Sequence, residues 1–127
     1  MKWFAAMLIV VACGGGSGGG GSGVPGGKHF VDLDASELDK LCTYMASLLD
    51  PRTIECSDGR TITIGTGDVA ACVADFMNQQ AAFPPCTATV DNVEGCSEGF
   101  ADQSDAAWCA GTVPPACAAL MTPTCGG

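Results

Sequence analysis

Residues 34–49 read DASELDKLCTYMASLL, and this stretch decides how the rest of the chain folds. Asp34, followed three residues later by Glu37, predicts a capping pair at the start of a helix. Apolar side chains then recur every three or four residues and share one face: Leu38, Leu41, Cys42, Met45, Leu48 and Leu49. Asp50-Pro51 ends the pattern, because proline disfavours helical geometry in the residue before it. The sequence therefore predicts a helix from about Ala35 to Leu49.

Two β-branched segments follow this helix. Arg52–Cys56 and Thr61–Ile64 flank the turn Ser57-Asp58-Gly59-Arg60. An Asp-Gly pair at the centre of such a turn is a strong hairpin signal. The sequence predicts one small two-stranded β-hairpin.

Further helices are predicted in the second half of the chain. One covers about Asp68–Gln79, and Thr89 is expected to cap the next, from about Val90 to Ala101. Pro114-Pro115 begins a last short helix that ends near Met121. The predicted fold is therefore mainly α, a small disulfide-stapled domain of three to four short helices with one hairpin, spanning residues 30–127.

The chain has nine cysteines, an odd number for an exported protein. Eight of them lie in the predicted domain: Cys42, Cys56, Cys72, Cys86, Cys96, Cys109, Cys117 and Cys125. We expect these eight to form four disulfides in an oxidising compartment. Cys42, Cys72 and Cys96 lie on apolar faces of three different predicted helices, so they point toward the interior. The sequence alone does not choose among the roughly 105 possible pairings.

The ninth cysteine, Cys13, ends a short apolar run in Val10-Val11-Ala12-Cys13. This motif resembles the lipobox of bacterial lipoproteins, which implies cleavage after a signal peptide of residues 1–12 and lipidation of Cys13. The protein would then be a cell-envelope lipoprotein held in the membrane by this lipid. Gly14 follows the cysteine where inner-membrane lipoproteins tend to carry aspartate, so the resemblance favours the outer membrane or cell surface. The alternative, a membrane-spanning helix, is disfavoured because Trp3–Ala12 is much shorter than the roughly 20 residues needed.

Residues 13–29 are dominated by glycine and serine after the cysteine. Such a composition has little to bury, so the sequence predicts a tether between the lipid and the domain. Residues 14–27 would span at most about 50 Å when taut.

The domain also resembles small cysteine-rich lipoproteins of myxobacteria and related deltaproteobacteria. The resemblance rests on four motifs: Leu41-Cys42-Thr43-Tyr44, Thr53 to Gly59, Ala71-Cys72-Val73 and Thr89 to Cys96. It covers about residues 38–125. It implies no activity, because we know of none assigned to that group.

Charge and residue types exclude several functions. Without Lys2, the chain has four basic residues against 14 acidic ones, so phosphate backbones would be repelled and nucleic-acid binding is excluded. Metal binding and cofactors are not expected, because there is no C-x-x-C motif and the only histidine, His29, lies beside the tether. No arrangement of residues indicates catalysis, and Trp108 is expected in the core. The sequence thus predicts a protein that is not an enzyme.

One acidic stripe is a candidate site for a basic protein partner: Asp91, Glu94, Glu98 and Asp102. Their spacing of three or four residues predicts a shared face of the third helix, which is otherwise a solvated surface. The leading functional hypothesis is an anchored module that binds another macromolecule. The alternatives are a structural or protective envelope component without a specific ligand, and a small enzyme or carrier of a lipophilic ligand, which would need a pocket.

Overall fold

The computed structural model describes residues 21–65 and 67–127. This part of the chain forms four α-helices and one two-stranded sheet: α1 (Ala35–Leu48), β1 (Arg52–Glu55), β2 (Thr61–Ile64), α2 (Val69–Ala82), α3 (Val90–Ala101) and α4 (Asp105–Ala110). Short 3-10 helices cover Phe30–Asp32, Pro115–Leu120 and Pro123–Cys125. The mainly α fold with one hairpin, predicted from the sequence, is confirmed.

Local capping fixes where the first three helices begin. Asp34 accepts a hydrogen bond from the Glu37 amide at 2.8 Å, and Glu37 accepts one from the Asp34 amide at 3.2 Å. Thr89 and Asn92 form the same reciprocal box at the start of α3. Asp68 caps α2 by accepting from the Ala70 amide. These side chains satisfy amides that have no acceptor within the helix, so the starts could be predicted from sequence.

The C-terminal third differs from the prediction. The sequence predicted no helix between Ser104 and Pro114, but Ser104 caps α4 and Gly111 ends it in the left-handed conformation at φ 69°. The last predicted helix is instead the 3-10 helix Pro115–Leu120. Cys117 in this 3-10 helix is buried and forms a disulfide with Cys96 of α3.

The hairpin forms its own small core. β1 pairs with β2 in antiparallel register, with Thr53 opposite Thr63. Ile54 and Ile64 are buried on one face together with Cys56. Trp108 of α4 packs against them and is half-buried, so the hairpin and α4 cover one another.

The main core lies between α1, α3 and the chain before α1. Its buried side chains are Val24, Phe30, Leu33, Leu38, Leu41, Val90 and Val93. Val24 is only 1% exposed, although its glycine-rich surroundings predicted that it belongs to the tether. The packed domain therefore includes residues 21–29, which the sequence had assigned to the tether.

Residues 21–29 form a strap across the start of α3, and we refer to them as the N-terminal strap. The Val90 amide donates to the Lys28 carbonyl and the Asp91 amide to the Gly26 carbonyl, both at 2.9 Å. Because these amides stand in the first turn of α3, they have no acceptor within the helix. The prediction that residues 21–29 belong to the tether is therefore wrong. The carbonyl groups that these residues supply to α3 belong to the backbone, so a glycine-rich composition gives no sign of them.

Replacing Val24 with alanine tests this boundary. We expect Val24→Ala to lower the free energy of unfolding by about 1.5–3 kcal/mol, because two buried methyl groups are lost and a cavity remains. Urea denaturation measures the change. The matched control is Val113→Ala, at a side chain that is 44% exposed, and it should change stability by less than about 0.5 kcal/mol. Equal stability of Val24→Ala and the parent would show that residues 21–29 belong to the tether and not to the packed domain.

All eight cysteines of the domain pair, as predicted. Cys42–Cys72 joins α1 to α2, and Cys96–Cys117 joins α3 to the following 3-10 helix. Cys56–Cys109 joins the hairpin to α4, and Cys86–Cys125 joins the segment after α2 to the last 3-10 helix. Each of the four α-helices of the described residues is thus joined by a bridge to another element or to the segment that follows it, or both.

Candidate binding site

An apolar groove of about 370 Å³ lies where α1, α2 and α3 meet the C-terminal 3-10 helices. Most of its wall is aromatic, aliphatic or sulfur-containing: Phe30, Met45, Phe76, Phe83, Val93, Phe100, Leu120, Met121 and the disulfide cysteines Cys86, Cys96 and Cys125. Its volume lies at the lower end of the roughly 300–1,000 Å³ typical of ligand pockets. The groove therefore suits a few apolar groups.

Rigid contacts hold the walls of this groove. The Phe30 and Phe76 rings meet edge to face, with centroids 5.0 Å apart. Gln80 of α2 donates from Nε2 to the Phe30 carbonyl at 2.8 Å and to the Leu33 carbonyl at 3.0 Å. A Cβ at Gly126 would lie 2.7 Å from the Phe83 ring, so only glycine allows the chain to pack there. Disulfides Cys86–Cys125 and Cys96–Cys117 border the groove on two sides.

Few polar groups face the groove. The Gln79 side chain lies at its edge, and the Ser97 hydroxyl already donates to the Val93 carbonyl at 2.9 Å. Met121, which is 54% exposed, lies at the mouth and opens the groove to solvent. Recognition here would depend on apolar burial, and methionine side chains adapt to differently shaped partners.

A second depression, of about 420 Å³, lies between the hairpin turn and α4, and its lining mixes charged side chains with alanine and the Cys56–Cys109 disulfide. Its one cation, Arg60, is engaged on both sides. The guanidinium donates to Asp58 at 2.6 Å and to the Cys109 carbonyl at 2.5 Å. The backbone and side-chain bonds from Arg60 also lower the pKa of Asp58. These contacts stabilise the turn, and they use two of the five N–H donors of the guanidinium.

The structure separates the four residues of the predicted acidic stripe. Asp91 is exposed in the first turn of α3, and Asp102 is its exposed C-cap. Glu94 is only 3% exposed, because the strap covers it and the Ser22 hydroxyl donates to its carboxylate. The prediction that Glu94 lies on a solvated face is therefore wrong. Partner binding by the exposed members stays a prediction.

Glu98, the remaining residue of the predicted acidic stripe, is hydrogen-bonded to α1. The Tyr44 hydroxyl donates to Glu98 Oε1 at 2.7 Å and thereby links α1 to α3 beside the groove residues Met45 and Ser97. This hydrogen bond, together with partial burial and the nearby carboxylate charges, raises the pKa of Tyr44 to about 12. Neutral Tyr44 is thus favoured by folding. The hydrogen bond from neutral Tyr44 to Glu98 therefore contributes fully to the stability of the fold below about pH 10, and this contribution is lost as the pH rises through about 12.

The tyrosinate titration checks this link directly, because Tyr44 is the only tyrosine of the chain. Ultraviolet absorbance should show ionisation with a pKa near 12 in the parent protein. In Glu98→Ala the pKa should fall toward the ordinary value of about 10, since the acceptor and its charge are gone. Asp102→Ala, on the same helix, is the control and should titrate like the parent. A parent value near 10 would contradict the link.

Lys28, near the C-terminal end of the N-terminal strap, also forms a side-chain contact with α1. Lys28 Nζ lies 2.6 Å from Glu37 Oε1. This hydrogen-bonded ion pair raises the pKa of Lys28 and lowers the pKa of Glu37. Glu37 thus caps α1 and holds Lys28 with the same carboxylate oxygen.

The remaining site predictions fall in different places. Cys13 and the predicted signal peptide lie outside the described residues. Among the described residues, no group of three or more His, Cys, Asp or Glu side chains is placed to hold a metal ion. Within residues 21–65 and 67–127, no helix combines the length and apolarity required to cross a membrane. The groove was not identified from the sequence, because its walls come from six separate segments whose meeting depends on the disulfide pairing.

Comparison with known proteins identified no matching family model, no matching curated protein and no matching solved structure.

Proposed function

We propose that this protein is a lipid-anchored module of the cell envelope that binds another macromolecule and catalyses no reaction. Acyl chains on Cys13 would hold it in the membrane, in the outer membrane or at the cell surface. The observation that carries the binding role is the apolar groove, whose walls are joined by two disulfides. A preformed site loses little entropy when it binds, so even a small groove supports useful affinity.

The groove also favours a second candidate function, that of a carrier for a small lipophilic ligand. Its wall is mostly apolar, as such a ligand requires. Its exposed mouth at Met121 favours a macromolecular partner instead, since a carrier encloses most of its cargo. A structural envelope component without a specific ligand remains the alternative that an absence of captured partners would support.

Site-specific crosslinking in cells tests the proposed function. A photoreactive residue replaces Met121 at the groove, and a matched control carries it at Met77, which is 50% exposed on α2 and does not line the groove. We expect one reproducible protein adduct from position 121 and none from position 77. The adduct should be lost when Cys13 is replaced and the protein leaves the membrane. Adducts only to lipophilic small molecules would favour the carrier, and the absence of any adduct would contradict both binding roles.

A further inference from the structure

The groove is free of basic side chains. The described residues include four cations, and none of them lines it. Three are engaged elsewhere, because Lys28 pairs with Glu37, Arg52 with Asp105 and Arg60 with Asp58. Nothing at the groove would therefore neutralise an anionic ligand such as a fatty acid.

Carboxylates, in contrast, are adjacent in sequence to two of the lining residues. Exposed Glu98 follows the lining residue Ser97 on α3, and exposed Asp75 precedes the lining residue Phe76 on α2. The 14 acidic residues of the described chain add a negative field around this apolar surface. Such a field attracts cations and speeds their approach.

Apolar walls with acidic surroundings define the chemistry of one occupant. We propose that the groove binds a cationic amphipathic peptide segment of a partner protein, with its apolar side chains in the groove and its Lys or Arg side chains toward the acidic surface of the domain. This is the helix-in-groove mode, in which apolar residues at helical spacing supply the anchors. The inference rests on the proposed function and specifies its partner.

Three synthetic peptides test the chemistry. The first carries Leu at positions i, i+3, i+4 and i+7 with Lys elsewhere, the second replaces every Lys with Glu, and the third has the first composition in scrambled order. Fluorescence anisotropy measures their binding to the full-length protein in phosphatidylcholine vesicles, after subtraction of protein-free vesicles. We expect the first peptide to bind at least about tenfold more tightly than either of the others.

Two matched variants locate the binding. Met121→Lys places a cation at the mouth of the groove, and Met77→Lys makes the same charge change away from it. Met121→Lys should weaken binding of the first peptide by about tenfold or more, whereas Met77→Lys should change it by less than about twofold. Raising the ionic strength from about 0.01 M to about 0.15 M should also weaken binding of the first peptide, because the Debye screening length falls from about 30 Å to about 8 Å. Intact disulfides and unchanged circular dichroism show that both variants are folded.

Several outcomes overturn the inference. Equal binding of the Lys and Glu peptides would show that the groove does not require a cationic partner. Equal binding of the ordered and scrambled peptides would show that it does not require amphipathic spacing. Equal losses in Met121→Lys and Met77→Lys place the binding outside the groove. If all three peptides fail while crosslinking from position 121 still captures one protein, the binding role survives and the cationic partner is wrong. If crosslinking also fails, the proposed function fails with it.

Discussion

Reduction of the four disulfides should unfold the domain without any denaturant. The bridges close sequence separations of 30, 53, 39 and 21 residues. In the chain-entropy model, loops of this length each stabilise a fold by about 3–4 kcal/mol. Their combined effect meets or exceeds the roughly 5–15 kcal/mol by which ordinary domains are stable. Circular dichroism after reduction and alkylation should show the loss of helical signal, and intact mass should rise by about 8 Da on reduction alone.

The individual bridges should not contribute equally. Cys56–Cys109 closes the longest loop and Cys96–Cys117 the shortest, so replacing the first pair with alanine should cost more stability by the entropic account. Urea denaturation of the two double variants measures the difference. A reduced, alkylated domain that still unfolds cooperatively would show that the apolar cores suffice. Alkylation of the unreduced, denatured domain at two or more sites would show that the bridges are not all closed.

Cys13→Ala should abolish fatty-acid labelling and release the protein from the membrane. The expectation rests on the lipobox resemblance at Val10–Cys13 and on the pairing of all eight other cysteines. Two or three acyl chains, at about 0.8 kcal/mol for each buried methylene, hold a protein far more firmly than one. Metabolic labelling with palmitate and membrane fractionation measure both effects.

Gly14→Asp is the matched control for the anchor. It leaves Cys13 intact, so labelling should stay at the parental level, while the resemblance implies a shift of the protein toward the inner membrane. Palmitate that still enters Cys13→Ala would defeat the assignment. So would a parent protein that takes up no label.

The sequence predicted those elements whose causes are local. The boxes Asp34/Glu37 and Thr89/Asn92 satisfy helix amides a few residues away, so α1 and α3 begin where the sequence indicated. The Asp58-Gly59 turn fixes the hairpin in the same way, with Gly59 at φ 86°. Each of these signals lies within a few residues of the structure that it produces.

Features that depend on distant residues were missed. The disulfide partners are 21 to 53 residues apart, and no local pattern distinguishes one pairing from another. Glu94 occurs in an acidic periodic pattern, but its burial depends on Ser22, 72 residues away. Val24 stands alone among glycines and serines, so no periodicity could mark it as a core residue. The groove combines both problems, because it requires the strap-side residue Phe30, three helices and the C-terminal bridges to meet.

If Cys13 carries the proposed lipid, the N-terminal strap limits how far the domain can move from the membrane. Only residues 14–20 separate Cys13 from the fixed backbone at Gly21, so the full extension is about 29 Å rather than the 50 Å or so that a longer tether would allow. A compact domain of this size has a radius of gyration of about 13 Å and therefore a diameter of roughly 34 Å, so that reach does not exceed the width of the domain itself. An anchored domain would therefore search by lateral diffusion along one leaflet. Partners in the same surface layer would be met at a high local concentration, whereas those across the envelope would stay out of range.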